Sequence, residues 1–343
     1  MNARSDKIKV LIVDDSPMFR KLINQALSTD PGIEVIGMAA DPSDARSCIM
    51  EQRPDVITCD VEMPVMDGIA FVRWLIPQLF IPVVMVSSVS DKVFDAMEAG
   101  AVDFVVKPNQ LKRGIGESFE SDLIRKVKAA SNASATLKPI ESAERVTAKK
   151  NIQMHAEAVI AIGASTGGTE AIFQVLKHLP SSVPGIVVVQ HIPPVFSKMF
   201  AERLNNQTAL KVKEAVTGDR VEPGVALVAP GDRHMRIRNR AGLYTVECFL
   251  GEKVNGHCPS VDVLFDSVAK EIGENAVGIL LTGMGSDGAK GLLNMRKHGG
   301  KTIGQDRATS VVYGMPAAAY NIGGVEVQAP IQDIPKELLN IFR

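Results

Sequence analysis

The stretch Ile8–Arg20, "IKVLIVDDSPMFR", predicts a strand followed, after a short turn, by the start of a helix. Its aliphatic first half is typical of a strand buried on both faces. Asp14 and Asp15 end that run. Ser16 can cap the following helix, and Pro17 suits the first helical turn. A strand that ends in carboxylates and leads straight into a helix predicts a parallel sheet with a polar site at its carboxyl edge.

The same pattern of a strand followed by a helix recurs through the rest of the chain. Short β-branched runs alternate with helix-period segments, which predicts parallel strands joined by crossover helices. The further strand candidates are "IEVIGMA", "DVITCD", "PVVMVSS", "DFVVKP", "AVIAIGA", "GIVVVQH", "VALVAP", "LYTVEC", "AVGILLTG" and "KTIGQD". Between the first five units and the later ones lies a stretch rich in Ala, Ser, Thr, Lys and Glu without a sustained apolar period, which is typical of a linker.

We therefore predict an α/β protein of two doubly wound parallel-sheet domains. The first, at residues 7–126, is flavodoxin-like, and the second, at residues 157–343, is Rossmann-like. Residues 127–156 are predicted to link them. The length of 343 residues agrees with two domains, because a single core rarely serves so long a chain.

Composition narrows the class of protein. A net charge of -1 provides no general attraction to nucleic acid or to an anionic membrane. The N-terminus lacks the apolar core of a signal peptide, and no apolar run approaches the roughly 20 residues of a spanning helix. The four cysteines have no C-x-x-C spacing, which favours reduced thiols. We expect a cytoplasmic protein that neither binds nucleic acid nor inserts into a membrane.

In the first half, chemistry-bearing residues stand at successive strand ends. Asp14 and Asp15 end the first strand, and Asp60, Ser87 and Lys107 end the third, fourth and fifth. Strand ends of a parallel sheet meet at one edge, so these residues are expected to cluster. Crowded carboxylates repel one another unless a cation lies among them, and hard oxygen ligands suit Mg2+. Taken singly, the same residues are ordinary surface charges.

Such a cluster suits transfer of a phosphoryl group to a carboxylate. Mg2+ beside Asp60, with the Lys107 ammonium and the Ser87 hydroxyl nearby, would stabilise the charge that develops during transfer. The motifs "VLIVDDSPMFR", "DVITCDVEMPVMDGIAFV", "VVMVSS" and "GAVDFVVKP", in that order, resemble the receiver domain of bacterial two-component response regulators.

This resemblance assigns further roles. It implies that Asp60 is the phosphoacceptor and that Mg2+ is held by Asp14, Asp15, Asp60 and the backbone carbonyl of Glu62. It also implies that Ser87 contacts the phosphoryl oxygens and that Lys107 is the counter-charge. Phe104 stands where receivers carry a rotating aromatic switch, although an ordinary buried core phenylalanine is an equal alternative there.

In the second half, the strand-end pattern selects a serine, a histidine and an aspartate. Ser165 follows "AVIAIGA", His191 ends "GIVVVQH", and Asp287 follows "AVGILLTGMGS". His191 on a neighbouring strand could remove the proton of Ser165, while the carboxylate of Asp287 fixes the imidazole tautomer. His234 and His257 have no second ligand at a metal-like spacing and are expected to be loop residues near the cleft.

The turn "AIGASTGGTE" around Ser165 allows three interpretations. A phosphate-binding loop requires a lysine after the last glycine, and Thr169 and Glu170 stand there instead. The "GASTG" pattern fits a hydrolase elbow, but that fold has the order Ser, acid, His. On spacing alone, a convergent triad and a simple strand-to-helix turn both stay open. If the triad holds, the backbone amides of Thr166 and Met284 are the candidate oxyanion donors.

A second resemblance favours the triad. The motifs "IGASTGGTEAI", "VVVQHIPPVFSKMFAERL", "VAPGDRHM", "PSVDVLFDSVA", "GILLTGMGSDGAKGL" and "QDRATSVVYGMPAAA" are similar to those of the chemotaxis protein-glutamate methylesterase and glutamine deamidase family, the CheB family. It implies a catalytic triad of Ser165, His191 and Asp287, with no cofactor at this site.

The same resemblance implies a function. The expected activity is hydrolysis of glutamate γ-methyl esters on methyl-accepting chemotaxis receptors, together with deamidation of receptor glutamines. A chemotaxis histidine kinase is the expected phosphodonor for Asp60, and phosphorylation is expected to activate the hydrolase. Two alternatives remain: a hydrolase of another ester under the same receiver, and a non-enzymatic response regulator that acts by binding.

Overall fold

A computed structural model describes residues 7–88, 92–108, 117–133 and 157–342. The chain divides into two compact units, Met1–Ala135 and Thr136–Arg343. No helix in the described ranges is long and apolar enough to cross a membrane.

The first unit is built on a five-stranded parallel sheet with the strand order β2-β1-β3-β4-β5. Its strands are β1 (Ile8–Val13), β2 (Ile33–Ala39), β3 (Val56–Cys59), β4 (Val83–Ser87) and β5 (Asp103–Val106). Its helices are α1 (Pro17–Leu27), α2 (Pro42–Gln52), α3 (Gly68–Leu75), α4 (Lys92–Glu98) and α5 (Glu117–Ala130). The strand order reverses between β1 and β3, which is where ligands bind in such sheets.

Local sequence explains how this unit starts its helices. Ser16 caps α1 and accepts a hydrogen bond from the Phe19 amide at 3.5 Å, with Pro17 in the first turn. Asp41 and Asp67 cap α2 and α3 in the same way. Each cap satisfies an amide that the helix leaves without an internal partner, and so fixes the residue at which the helix begins.

The second unit contains a seven-stranded parallel sheet with the order β14-β13-β12-β6-β7-β9-β8, and an antiparallel hairpin of β10 and β11. The sheet strands are β6 (Val159–Ala164), β7 (Gly185–Gln190), β8 (Lys211–Glu214), β9 (Val225–Val228), β12 (Ala276–Leu280), β13 (Lys301–Gln305) and β14 (Val327–Ala329). The hairpin strands are β10 (His234–Arg240) and β11 (Leu243–Phe249). The helices are α6 (Gly168–Leu176), α7 (Pro194–Gln207), α8 (Val261–Ile272), α9 (Ala289–Lys297), α10 (Met315–Asn321) and α11 (Ile334–Ile341).

The first residue of α8 packs directly on the end of the central strand β6. A Cβ added to Gly163 would lie 2.2 Å from Val261 Cγ1. Along the helix, Leu264, Phe265 and Val268 continue into the hydrophobic core of the unit. The N-terminus of α8 is therefore fixed beside the carboxyl edge of the sheet, close to the ends of β6 and β12.

The predicted α/β fold class of two parallel-sheet domains is confirmed, with local differences. "LYTVEC" lies in the antiparallel hairpin rather than in the parallel sheet. Strands β8 and β10, "KVKE" and "HMRIRNR", were not predicted, because charged side chains on an edge strand and on a hairpin hide the apolar pattern. The three-residue strand β14 was not predicted either.

The domain boundaries stay a prediction. Helix α5 continues to Ala130, past the predicted boundary at residue 126, and Val127, Ala129 and Ala130 are buried. Most of the predicted linker, residues 134–156, lies outside the described residues.

Two candidate sites at the carboxyl edges of the sheets

Ser165, His191 and Asp287 form a continuous chain of hydrogen-bonded side chains. They follow three neighbouring strands of one sheet, β6, β7 and β12. His191 Nδ1 lies 3.1 Å from Ser165 Oγ, and His191 Nε2 lies 2.9 Å from Asp287 Oδ2. The order of the sheet reverses at β6, so the chain of side chains crosses the position where parallel sheets bind ligands.

This arrangement sets the tautomer of the imidazole. The carboxylate can only accept, so the neutral ring carries its proton on Nε2 and donates it to Asp287. Nδ1 then presents its lone pair to the Ser165 hydroxyl, which donates. The result is a serine beside a base that is itself oriented by a carboxylate, which is the requirement for a serine nucleophile.

Asp287 accepts hydrogen bonds on both carboxylate oxygens. The donors are His191 Nε2 at 2.9 Å and Val261 N at 2.7 Å on Oδ2, and Ser260 Oγ at 2.7 Å, Asn255 Nδ2 at 2.8 Å and Asp262 N at 3.3 Å on Oδ1. Burial by itself would raise the pKa of Asp287, but the hydrogen bonds from His191, Asn255 and Ser260 outweigh it. The pKa of this carboxyl therefore lies below its ordinary range, and Asp287 is charged at neutral pH.

The N-terminus of α8 contributes to this environment. Ser260 is the N-cap residue, yet its side chain makes no cap hydrogen bond within the helix. Its hydroxyl and the first amides of the helix are directed to Asp287 instead. Asp287 thus serves as the acceptor for the open end of α8, and the helix dipole favours its negative charge.

The loop between β11 and α8 also reaches the triad. Val254 and His257 exchange two backbone hydrogen bonds of 3.0 Å around Asn255 and Gly256, whose φ angles are 53° and 82°. Positive φ at both central positions is the pattern of a type I′ turn, for which Asn-Gly is the favoured pair. From this turn Asn255 donates to Asp287, and the ring of His257 stacks on that of His191 with centroids 3.7 Å apart.

His234 holds the two ends of this loop. Its Nε2 lies 2.8 Å from the Glu252 carbonyl, and its Nδ1 accepts from the Ser260 amide at 3.2 Å. The tautomer is therefore defined, with the proton on Nε2 donated to the carbonyl. His234 is 2% exposed, so its role in the described residues is to join β10 to the loop.

The turn after Ser165 is held from several sides. The Ser165 carbonyl accepts from Gln190 Nε2 at 2.9 Å and from the Gly168 amide at 2.7 Å. Gly167 has φ 75°, and a Cβ on Gly168 would lie 2.1 Å from Gln190 Oε1, so both glycines are needed for this turn. Helix α6 begins at Gly168 and directs its N-terminus to the same side.

The two predicted oxyanion residues lie in different segments of the second unit. Thr166 is the next residue and is 1% exposed. Met284 lies in the loop after β12 with a side chain that is partly exposed, and among the described residues its amide donates to no protein acceptor. The neighbouring Gly283 packs so closely that an added Cβ would lie 2.7 Å from Ser165 Cβ.

In the first unit, Lys107 lies between two buried carboxylates. Its Nζ is 2.7 Å from Asp14 Oδ2 and 2.5 Å from Asp60 Oδ2, and all three residues are at most 6% exposed. Burial raises the pKa of Asp60, and the Lys107 ammonium opposes that rise. The structure thus brings together the strand-end residues of β1, β3 and β5.

The acidic residues have the donor set of a divalent cation site. One carboxylate oxygen from each of Asp14, Asp15 and Asp60 lies within 4.8 Å of the others. Asp14 Oδ2 is buried and, apart from its ion contact with Lys107, makes no hydrogen bond. Hard oxygens at this spacing suit a cation such as Mg2+. The Glu62 carboxylate is turned to Lys92 at 3.2 Å, which leaves only its backbone for the site.

Ser87 and Phe104 occupy neighbouring strand positions. Ser87 ends β4, is 2% exposed, and its carbonyl accepts from the Lys107 amide at 2.8 Å. Phe104 in β5 is 3% exposed and packs edge-on against Phe94, with centroids 6.2 Å apart. The Lys126 ammonium lies 4.9 Å from the centre of the Phe104 ring. This packing agrees with a core phenylalanine and leaves the switch role as a prediction.

Several site residues were not identified from the sequence. Ser260, Asn255 and Gln190 contact Asp287 or Ser165 through polar side chains. Gln190 lies in the predicted strand "GIVVVQH", whereas Asn255 and Ser260 lie in a loop and at its end. The Asn-Gly pair at 255–256 predicts a tight turn. Nothing in one sequence shows that this turn faces a strand end far away in the chain.

Comparison with known proteins identifies the families of the two units. The family model described as CheB methylesterase matches residues 160–338, and the model described as response regulator receiver domain matches residues 10–116. A protein-glutamate methylesterase/protein-glutamine glutaminase of Syntrophomonas wolfei is 53% identical over 99% of both chains. One of the same name from Syntrophotalea carbinolica is 46% identical over 98% of both chains.

A solved structure supports the fold of the second unit. The crystal structure of the Thermotoga maritima CheB methylesterase catalytic domain aligns with a TM-score of 0.53 and 37% sequence identity. The alignment covers 54% of this chain and 98% of that domain.

Proposed function

Because this chain belongs to the CheB methylesterase family and carries a response regulator receiver domain, we propose that it is a phosphorylation-activated serine hydrolase of methyl-accepting chemotaxis receptors. Its substrates are glutamate γ-methyl esters and selected glutamines of those receptors. The observation that carries the proposal is the hydrogen-bonded chain from Ser165 through His191 to Asp287. We assign the three residues as nucleophile, general base and orienting carboxylate.

The first half-reaction transfers the glutamyl group to the enzyme. Ser165 Oγ attacks the γ-carbonyl carbon while His191 Nδ1 takes the hydroxyl proton. The imidazolium that forms donates to Asp287 through Nε2, and the fixed negative charge stabilises it. His191 then gives its proton to the methoxy oxygen as the bond from carbon to that oxygen breaks, and methanol leaves.

The second half-reaction reverses these roles. Water takes the place of methanol, His191 removes a proton from it, and the oxygen attacks the acyl carbon. The bond to Ser165 Oγ breaks as that oxygen recovers a proton from His191. A receptor glutamate is released. A glutamine side chain follows the same path with ammonia as the leaving group, because ester and amide form the same kind of tetrahedral oxyanion.

We assign the oxyanion to the backbone amides of Thr166 and Met284. The assignment is supported by sequence position, since Thr166 follows Ser165 at the start of the turn into α6, and Met284 follows Gly283, whose added Cβ would lie 2.7 Å from Ser165 Cβ. The N-terminus of α6 adds its positive end to the same region. Removal of one such donor typically costs about 10^2- to 10^3-fold in turnover.

The receiver unit is assigned the regulatory role. Asp60 accepts a phosphoryl group from a histidine kinase in the cytoplasm, with Ser87 and Lys107 beside the incoming oxygens and Phe104 as the switch residue. Asp14, Asp15, Asp60 and the Glu62 carbonyl would hold Mg2+, which neutralises charge on the phosphoryl oxygens. Phosphorylation then increases the population of an active arrangement. The size of the increase is set by how differently the phosphorylated and unphosphorylated receiver stabilise that arrangement.

The nucleophile is tested with methylated receptor membranes. We expect Ser165→Ala to lower methanol release by about 10^6-fold, because the other triad members cannot replace the nucleophile. Ser181→Ala, at an exposed serine before β7, is the matched control and should be unaffected. A loss of only about tenfold in Ser165→Ala would contradict the assignment. Cleavage of a generic ester without any methanol from receptors would favour a different ester as the substrate.

The phosphoacceptor is tested by the response to a small phosphodonor. We expect the donor to stimulate the wild type, and Asp60→Asn to remove the stimulation while leaving basal methanol release. A chelator should also remove the stimulation, since charge on the phosphoryl group would no longer be neutralised. Asp44→Asn, an exposed aspartate on α2, serves as control. Equal stimulation of Asp60→Asn and wild type would contradict the regulatory role.

A further inference from the structure

His257 presents a flat ring to the proposed general base. The rings of His257 and His191 are nearly parallel, with an interplanar angle of 10° and centroids 3.7 Å apart. His191 already has one partner at each nitrogen, Ser165 and Asp287. Those two contacts define the ends of the imidazole but do not by themselves fix the tilt of its plane. The stack supplies that third constraint.

The position of His257 is itself defined by backbone geometry. The turn that carries it is closed by two hydrogen bonds between Val254 and His257, and Asn255 at its tip is bonded to both Asp287 and Asp262 at 2.8 Å. His234 is hydrogen-bonded to both ends of the loop, at the Glu252 carbonyl and at the Ser260 amide. These hydrogen bonds therefore fix the position of the His257 ring beside His191. The same turn contacts both Asp287 and His191.

We propose that His257 is a positioning residue for the general base, and that its neutral ring stabilises the imidazolium that His191 becomes during each half-reaction. A cation over an aromatic face is attracted by the ring, whereas a second imidazolium at the same place would repel it. The inference rests on the proposed function of the Ser165 site. His257 touches no reacting atom and acts through His191.

The charge of the surroundings bears on this role. The titratable or charged groups around the turn, from its own loop and from the segments packed against it, are His191, Asp287, Asp262, Asp232, Glu252, Lys253 and Cys258. Of these, His191 lies against the face of the His257 ring, with the two centroids 3.7 Å apart. Protonation of His191 is therefore the change in charge that alters the interaction between the two rings most directly.

The test compares His257→Ala with His257→Phe in the full-length protein. His257→Ala removes the stack, and we expect kcat for methanol release to fall roughly 10-fold with KM unchanged. The acid limb of the kcat/KM profile should move to lower pH by about half a unit to one unit, because the charged form of His191 loses stabilisation. His257→Phe keeps a ring face and should restore kcat to within about threefold and the acid limb to its wild-type position.

Controls separate the possible outcomes. His298→Ala, a histidine at the end of α9 that lies outside the site, should change neither parameter. Thermal unfolding of each variant reports whether it is folded. An unshifted acid limb in folded His257→Ala, or a His257→Phe protein as impaired as His257→Ala, would overturn the inference. Ser165→Ala is measured beside them, since its activity alone decides the proposed function.

Discussion

A single carboxylate, Asp287, links the chemistry of the second unit to its packing. It accepts from His191 and also from the N-terminus of α8, so the orientation of His191 and the capping of this helix depend on the same carboxylate. Replacement of this carboxylate by the isosteric amide of asparagine should lower the activity. An amide would present N–H groups to donors and would favour the wrong tautomer of His191.

Substitutions of the residues that support Asp287 should have graded effects. We expect Asp287→Asn to lower kcat by about 10^4-fold, and Ser260→Ala, which removes one of several donors, by only about 10-fold. Methanol release under saturating substrate measures both. Equal losses in the two variants would contradict a graded role for the donors.

The same carboxylate contributes a pH-dependent term to stability. Folding lowers the pKa of Asp287, so its contribution is complete above the ordinary carboxyl value and is lost as the pH falls toward the lower folded-state value. The difference in free energy of unfolding between wild type and Ser260→Ala should accordingly be larger at pH 7 than in strong acid. Urea titrations at the two pH values measure this difference.

At the scale of elements, the site depends on glycines that let loops approach Ser165. A Cβ on Gly283 would lie 2.7 Å from Ser165 Cβ and 2.3 Å from Met315 Sδ. Ser165 cannot move away from such a Cβ without losing hydrogen bonds, because its amide donates to the Thr282 carbonyl at 3.0 Å and its carbonyl accepts from Gln190. The loop after β12 and the turn after β6 are therefore fitted to each other.

Gly283→Ala should consequently displace the nucleophile. We expect a loss of about 10^2-fold in kcat, since displacements of about 1 Å have effects of that size. Gly242→Ala in the β10–β11 turn is the control, because that glycine has φ 82° and open space around it. It should lower the melting temperature through backbone strain and leave methanol release intact. Comparable activity losses in the two variants would indicate general destabilisation instead.

Elements also show which parts of the structure a single sequence can predict. The ends of β6, β7 and β12 were predictable, since buried parallel strands read as apolar runs and their carboxyl ends meet at one edge. The loop that carries Asn255 and His257 was not. Its position depends on His234 and Asp287, residues distant in the chain, and no local pattern encodes such contacts.

At the scale of the whole molecule, each unit has its own sheet and its own buried core. Phe71 in α3 and Phe265 in α8 are fully buried, each within its own unit. Large-to-small changes at such positions cost about 3 to 5 kcal/mol. We expect the loss of stability to be greatest in the strands and helices that pack around the missing ring.

Hydrogen exchange followed peptide by peptide can test this independence. We expect Phe71→Ala to speed exchange in peptides from β1 to β5, and Phe265→Ala to speed it in peptides from β6 to β14, because each substitution lowers the stability of one core. Acceleration in both sets of peptides by either substitution would show that the two cores unfold together.

The burial of Ser165 bears on which carbonyl groups can approach its hydroxyl. Ser165 is 4% exposed, and the side chains of His191 and Asp287 are 4% and 1% exposed. A carbonyl at the end of a flexible side chain, such as a glutamyl ester, can approach an enclosed hydroxyl without any unfolding of the protein that carries it. The peptide bonds of a folded helix are internal to its backbone and flanked by side chains, so we expect them to be much poorer substrates. Such an enzyme would modify the same side chain repeatedly and leave the backbone intact.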